Sequence, residues 1–331
     1  MPQTAKQRIL ITGAWGFILS NFIRSAAYTP QPYEIIAVDS FVARSSLANR
    51  CVKKNVAQYI ADITDPNIMD VIFNEAKPDI VIHGAALTSV DQSLTKPAPF
   101  YKTIVFGTQT IAETAIRYGV KRLVYLSTDQ VYKPQTTEME QASKETDELA
   151  PNNPVAQSKA EAEKIIRGSG LSYNILRLSN NYGERQTATK LIPKTIKCVL
   201  TEEKIPIYGN GQHLRDWIYV NDTVNGLFTI LKSGAANETY NVGAGNELTN
   251  VEIVQRVCNA LKRGHNLVEH VPDPRGQANG IRYAMDCSKL RALGWAPNVR
   301  LTDGLQSVAN WYVENKHWTS NDWISLGYFG I

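Results

Sequence analysis

The sequence predicts a doubly wound α/β protein: a parallel sheet flanked by helices, followed by a smaller and more irregular α/β unit that handles a ligand. Two observations lead there. Through the first half of the chain short apolar runs alternate with amphipathic stretches, the rhythm of strands that reach parallel neighbours through helical crossovers. The first run, Ile9-Leu-Ile-Thr12, then passes straight into a glycine-bearing turn, Gly13-Ala-Trp-Gly16, which is where such folds bind phosphate groups.

Taken in order, strands are expected at Arg8–Thr12, Tyr33–Val38, Gln58–Ala61, Asp79–His83, Arg122–Ser127 and Tyr173–Leu178. Between them, apolar residues at three- and four-residue intervals predict helices over Gly16–Ala27, Asn67–Ala76, Phe100–Tyr118 and Val155–Gly168. Lys133–Pro154 carries prolines and acidic residues without periodicity, and reads as a long surface loop, a kind that is usually functional or mobile. Beyond Leu178 the chain turns to segments punctuated by Lys, Pro and Gly, with helices near Asp222–Leu231, Asn250–Lys262 and Thr302–Asn315. The expected division is residues 1–178 with about 216–245 in the sheet domain, and 179–215 with 246–331 in the second.

Composition narrows the function. Across 331 residues, 35 Lys and Arg against 31 Asp and Glu leave a net charge of +4 without a basic run, which disfavours nucleic acid or a membrane surface as partner. Four widely spaced cysteines, Cys51, Cys198, Cys258 and Cys287, show no CxxC pair, so buried free thiols in a reduced compartment are expected. No signal-peptide core precedes the first strand and no run of 18 apolar residues occurs, so a cytoplasmic protein is expected. No second histidine stands at metal spacing from His83, which reads as a packed core histidine, and no metal is implied. The aromatic pairs Trp311/Tyr312 and Trp318/Trp323 lack interleaved basic residues and read as core or docking residues.

The chemistry starts at the turn. Backbone N–H groups at Gly13 and Gly16, with the helix N-terminus behind them, suit a pyrophosphate. Asp39 ends the second strand some 20 residues on, where an acid accepts hydrogen bonds from ribose hydroxyls and repels a 2′-phosphate, favouring NAD over NADP. An Asp at a strand end also caps turns.

Three further segments carry a family resemblance: Leu126-Ser127-Thr128-Asp129-Gln130-Val131-Tyr132, Leu178-Ser179-Asn180-Asn181-Tyr182-Gly183, and Ile205 to Trp217 with Tyr208-Gly209-Asn210-Gly211 inside it. The chain resembles the extended short-chain dehydrogenase/reductases of the NAD-dependent epimerase/dehydratase family, closest to the dTDP-glucose 4,6-dehydratases, from about Arg8 to about Lys316. The resemblance implies a Rossmann-type domain holding NAD, a nucleoside diphosphate-sugar in the C-terminal domain, and a homodimer formed through two helices. It places Phe17, Ile18, Asp62, Ile63, Ala85 and Lys159 beside Gly13, Gly16 and Asp39 at the cofactor. It places Asn180, Asn181, Lys190, Leu191, Arg215, Asn250, Arg275 and Arg282 at the substrate, where guanidinium forks match phosphate oxygens.

The same resemblance exposes departures. In the family's YxxxK segment Lys159 is present but Val155 replaces the tyrosine, and valine takes no proton. The signature Thr-Asp-Glu reads Thr128-Asp129-Gln130; Asp129 remains as acid, and an amide replaces the base. Leu19 stands for the third glycine, where it would oppose close helix–strand packing, and Trp15 would put an indole into the phosphate turn. Ile104 and Leu87 replace an expected Asn and Glu. All six lie on the nicotinamide side. Two readings follow: an NAD-dependent nucleotide-sugar enzyme with a substitute base (Lys159, Tyr132, or a water held by Ser127 or Thr128), or a silent homologue that binds a nucleotide-sugar as sensor, sequestering protein or partner.

Overall fold

The computed structural model describes residues 6–28, 33–41, 47–136 and 141–318. In chain order its first half runs β1 (Gln7–Thr12), α1 (Phe17–Tyr28), β2 (Tyr33–Asp39), β3 (Val56–Ile60), α2 (Pro66–Ala76), β4 (Ile80–His83), α3 (Val90–Thr95), α4 (Ala98–Tyr101), α5 (Gly107–Arg117), β5 (Arg122–Thr128), α6 (Pro154–Gly168) and β6 (Tyr173–Leu178). The second half runs β7 (Asn180–Tyr182), α7 (Leu191–Thr201), β8 (Ile205–Tyr208), β9 (Leu214–Tyr219), α8 (Val220–Ser233), β10 (Glu238–Val242), β11 (Glu247–Thr249), α9 (Asn250–Ala260), β12 (Val268–Val271), α10 (Ser288–Arg291) and α11 (Leu301–Glu314).

Seven strands form one parallel sheet in the order β10-β6-β5-β4-β1-β2-β3. Its inner strands read as unbroken apolar runs because both faces are covered. One core packs α1 and α8 on one face through Phe22, Ile23, Val224 and Leu227; the other packs α2, α5 and α6 through Phe73, Ile111 and Ala162. A third core gathers Tyr182, Ile196, Trp217, Val257, Val308 and Tyr312 around the smaller sheets β11-β9-β7 and β12-β8. Trp311 packs against this core and Trp318 lies within it, whereas Trp323 falls outside the described residues.

Local chemistry sets the helix starts. Asp65 caps α2 ahead of Pro66, Thr249 and Glu252 form a capping box on α9, and Asn153 caps α6 ahead of Pro154. The expected single helix Phe100–Tyr118 is instead α4 and α5 joined by a π-helical turn over Lys102–Phe106, the kind of bulge that collects at functional sites. The strand β10 was not among the expected strands; it is short and polar at Asn241, whose buried amide donates to the Ser143 and Asp286 carbonyls. All four cysteines are free and buried. Among the described residues no helix is long and apolar enough to cross a membrane.

Candidate active site

The sheet order reverses between β1 and β4, and the crevice outside the carboxyl ends of such strands is where ligands bind. Here it opens as a cavity of about 870 Å³. Gly13, Gly16, Phe17, Ile18, Asp39, Asp62, Ile63 and Ala85 line one end, and Asn180, Asn181, Lys190, Leu191, Arg215, Asn250 and Arg275 line the other. Thr128, Gln130, Val155 and Lys159 lie on the wall as well. Two expected site residues are absent from it. Asp129 is buried behind the wall, and Arg282 turns to a separate pocket, where Glu247 takes its Nε and one terminal nitrogen at 2.7 Å each. The Arg282 fork is taken up by that carboxylate, away from the main cavity.

The dinucleotide end fits NAD. Gly13 has φ +68°, and a Cβ there would come within 2.7 Å of the Ala85 backbone, so the β1–α1 turn abuts the turn after β4 and only glycine fits. Asp39 accepts from the Trp15 and Phe41 amides, both at 2.9 Å, and so braces the turn while its carboxylate stays on the cavity wall. Trp15 does not enter that turn: its indole is buried in the core. Nor does Leu19 hold the helix off. A Cβ at Gly84 would lie 2.5 Å from Leu19 Cδ1, so Leu19 fills the space that Gly84 leaves open. The close approach is made by a glycine just after the neighbouring parallel strand, β4.

At the centre, Lys159 Nζ donates to the Leu126 carbonyl at 2.6 Å and rests 4.6 Å over the Tyr125 ring. Burial lowers its pKa to about 7, against the pull of Glu163. Val155, one helical turn earlier on α6, offers no proton acceptor. Asp129 receives Thr128 Oγ1 at 2.9 Å, its Oδ2 has no partner, and burial raises its pKa to about 7. The Oε1 of its neighbour Gln130 accepts from Asn153 Nδ2 at 2.9 Å.

Tyr132 is removed from the candidate bases. Its hydroxyl donates to Asn241 and accepts from Arg177, each at 2.7 Å, it lies away from the cavity, and burial pushes its pKa up to about 12. Ser127 faces the cavity but donates to Glu163 at 2.6 Å, and Glu163 is held in a buried ion pair by Arg177. His83 is the packed histidine expected: its ring nitrogens bond Thr12 and Thr108, and burial lowers its pKa to about 3.

The substrate end is cationic. Arg275 donates Nε to Asp91 at 2.6 Å and stacks over Tyr208, Lys190 reaches the Thr88 carbonyl, and Lys194 joins them on the wall. Arg215 is more constrained: its two terminal nitrogens bond the carbonyls of Leu214, Gly280 and Ile281 and the Asn279 amide oxygen, so it fastens the 279–282 segment. Asp91 and Tyr208 were missed from sequence; Ser89-Val-Asp-Gln92, a capping pattern at the start of α3, was the available signal.

The sequence profile of the NAD dependent epimerase/dehydratase family matches residues 9–243. A dTDP-glucose 4,6-dehydratase of Streptomyces niveus is 34% identical over 323 residues, covering 94% of each chain. Among solved structures, DesIV, a dTDP-glucose 4,6-dehydratase from Streptomyces venezuelae with NAD bound, has a TM-score of 0.88 at 34% identity, covering 94% of this chain and 98% of that one. A UDP-glucose 4-epimerase from Thermotoga maritima with UDP-glucose has a TM-score of 0.85 at 28% identity, covering 94% and 100%. The glycine turn, the cavity at the strand reversal and these likenesses along nearly the whole length agree, and the chain belongs to the NAD dependent epimerase/dehydratase family.

Proposed function

We propose that this NAD-dependent nucleotide-sugar enzyme of the dehydratase/epimerase type uses Lys159 as its base, in the place of the tyrosine that the YxxxK pattern it resembles would put at position 155. One observation carries the reading: a single cavity joins the glycine turn to the cationic end, and Lys159 is the group on its wall with a proton affinity poised near neutrality. NAD, held by Gly13, Gly16, Phe17, Ile18, Asp39, Asp62, Ile63 and Ala85, supplies hydride exchange with a sugar carbon when bound. Lys159, as neutral amine, takes the proton of the sugar hydroxyl, and burial keeps that form populated at pH 7. Arg275, Lys190, Asn180, Asn181, Leu191 and Asn250 hold the nucleoside diphosphate-sugar, with Arg215 shaping the loop around it. Asp129 serves as a reserve of one proton behind Thr128.

Residues 1–178 with about 216–245 form the cofactor domain of this reading, and 179–215 with 246–331 the substrate domain. A homodimer fits it, because Tyr101, Phe106 and Ile116 lie 46%, 52% and 49% exposed along the α4–α5 face. A monomer by light scattering at micromolar concentration would count against that assembly.

The test is a panel of nucleotide-sugars incubated with protein and NAD, with products followed by mass. Turnover of at least one sugar should rise between pH 6 and pH 8 along a limb near pH 7 and vanish in Lys159→Met. Turnover retained in that variant would sink the assignment of the base. Binding without turnover across the whole panel would leave a nucleotide-sugar-binding protein.

A further inference from the structure

Gln130 stands where the dehydratase pattern has its elimination base, and the hydrogen bonds around it fix which end of its amide meets the ligand. Asn153 caps α6: its Oδ1 accepts the Ala156 N–H at 3.0 Å. A backbone N–H can only donate, so that contact fixes the Asn153 amide with Nδ2 on the other side. Nδ2 in turn donates to Gln130 Oε1 at 2.9 Å. The Gln130 oxygen is therefore committed to the helix cap, and the remaining atom of its amide is Nε2. That nitrogen has no hydrogen-bond partner among the described residues and is not among the buried unpartnered atoms, while Gln130 itself lines the same cavity as Thr128 and Val155. An accessible N–H pair thus stands on the wall where a carboxylate would otherwise wait.

We infer that Gln130 is a specificity-determining residue which donates a hydrogen bond from Nε2 to an oxygen of the bound sugar. This rests on reading the cavity as a nucleoside diphosphate-sugar site. The consequence is chemical as well as steric. A donor fixed in this direction cannot take a proton from carbon, and it rewards a sugar that carries an acceptor oxygen at the facing position. The atoms that enforce the direction lie in the chain itself, two hydrogen bonds removed from the ligand, so the direction can be reversed without altering the shape of Gln130.

Two substitutions do so. Gln130→Glu keeps an oxygen for Asn153 Nδ2 and turns the cavity-facing atom from N–H into O⁻. Asn153→Asp keeps an oxygen for the Ala156 N–H, so α6 remains capped, but presents a second oxygen to Gln130; its amide must then rotate, placing Oε1 on the cavity. The probes are dTDP-glucose, its 2-, 3-, 4- and 6-deoxy analogues, and dTDP as internal reference, titrated by calorimetry into protein saturated with NAD.

In wild type one deoxy analogue should bind about fivefold or more weakly than dTDP-glucose, the effect of one lost hydrogen bond. In both Gln130→Glu and Asn153→Asp that gap should close or invert, with dTDP affinity unchanged. Wild type that binds all four deoxy analogues as well as the parent sugar would overturn the inference, as would a gap that survives in both variants. If dTDP itself fails to bind wild type, the nucleotide-sugar reading of the cavity falls, and this inference with it.

Discussion

At the residue scale, the structure shows what surrounds the positions that the sequence reading singled out. Leu19 is accommodated: Gly84 leaves the space that its side chain fills. Leu19→Gly alone should therefore open a core void and lower stability by about 2–5 kcal/mol, while Gly84→Leu alone should clash. Leu19→Gly/Gly84→Leu together should recover most of the loss, and additive losses in thermal denaturation would refute the pairing. Asp129, which keeps the family's residue, is left with a buried carboxyl oxygen that has no partner. Its folded pKa of about 7 lies above the ordinary 3.8 because burial disfavours the charge. The folded chain then binds the extra proton between those values, so this group's contribution to stability is intact below pH 3.8 and is lost as pH rises toward 7. His83 works oppositely, with a folded pKa of about 3 against 6.5, so only a difference between variants isolates either. Asp129→Asn should gain stability on the order of 1–3 kcal/mol at pH 8 and almost none at pH 4; an equal gain at both pH values would contradict the buried, protonated carboxyl.

Elements were legible where periodicity was long and illegible where tertiary contact made them. The alternation of strands and crossover helices was plain from β1 to β6 because each run is buried on a face of known period. The π-helical turn at Lys102–Phe106 has no sequence period of its own, and β7, β8, β11 and β12 are too short to show one. Gly13, Asp39 and Lys159, read from motifs of fixed spacing, all lie on the cavity wall, while Arg282 lies off it, tied to Glu247 35 residues away in sequence. Asp91 on α3 is the clearest omission. It ties Arg275 at 2.6 Å and Tyr208 at 3.2 Å, joining the loop 272–279 to the far side of the cavity. The pair is part-exposed, at 29% and 39%, so it adds little to global stability. Asp91→Asn should leave the melting midpoint within about 1 °C while amide exchange in 88–95 and 272–279 speeds up. Unchanged exchange there would mean that the contact does not hold the loop.

The molecule as a whole keeps its two ligand ends and alters what lies between them. The sheet order puts the carboxyl ends of β1, β4 and β5 around one crevice, and the third core sets the cationic wall of α7 and the 272–279 loop across from it. Binding and chemistry are thus separable: the cavity needs the whole fold, whereas general acid–base chemistry needs particular side chains on its wall. The amide at 130 cannot take a proton from carbon, whatever Lys159 does at the hydroxyl, so wild type given dTDP-glucose should release at most a trace of 4-keto-6-deoxy sugar. Each missing acid–base group is typically worth 10²–10⁴-fold, and groups that act together need not multiply. Val155→Tyr/Gln130→Glu should raise that product measurably, because the new carboxylate keeps the Asn153 contact that caps α6 and the new phenol sits one turn from Lys159. Mass detection of the product after incubation with NAD decides the matter. Robust release by wild type would mean that another wall residue, Lys159 first among them, already performs both proton transfers.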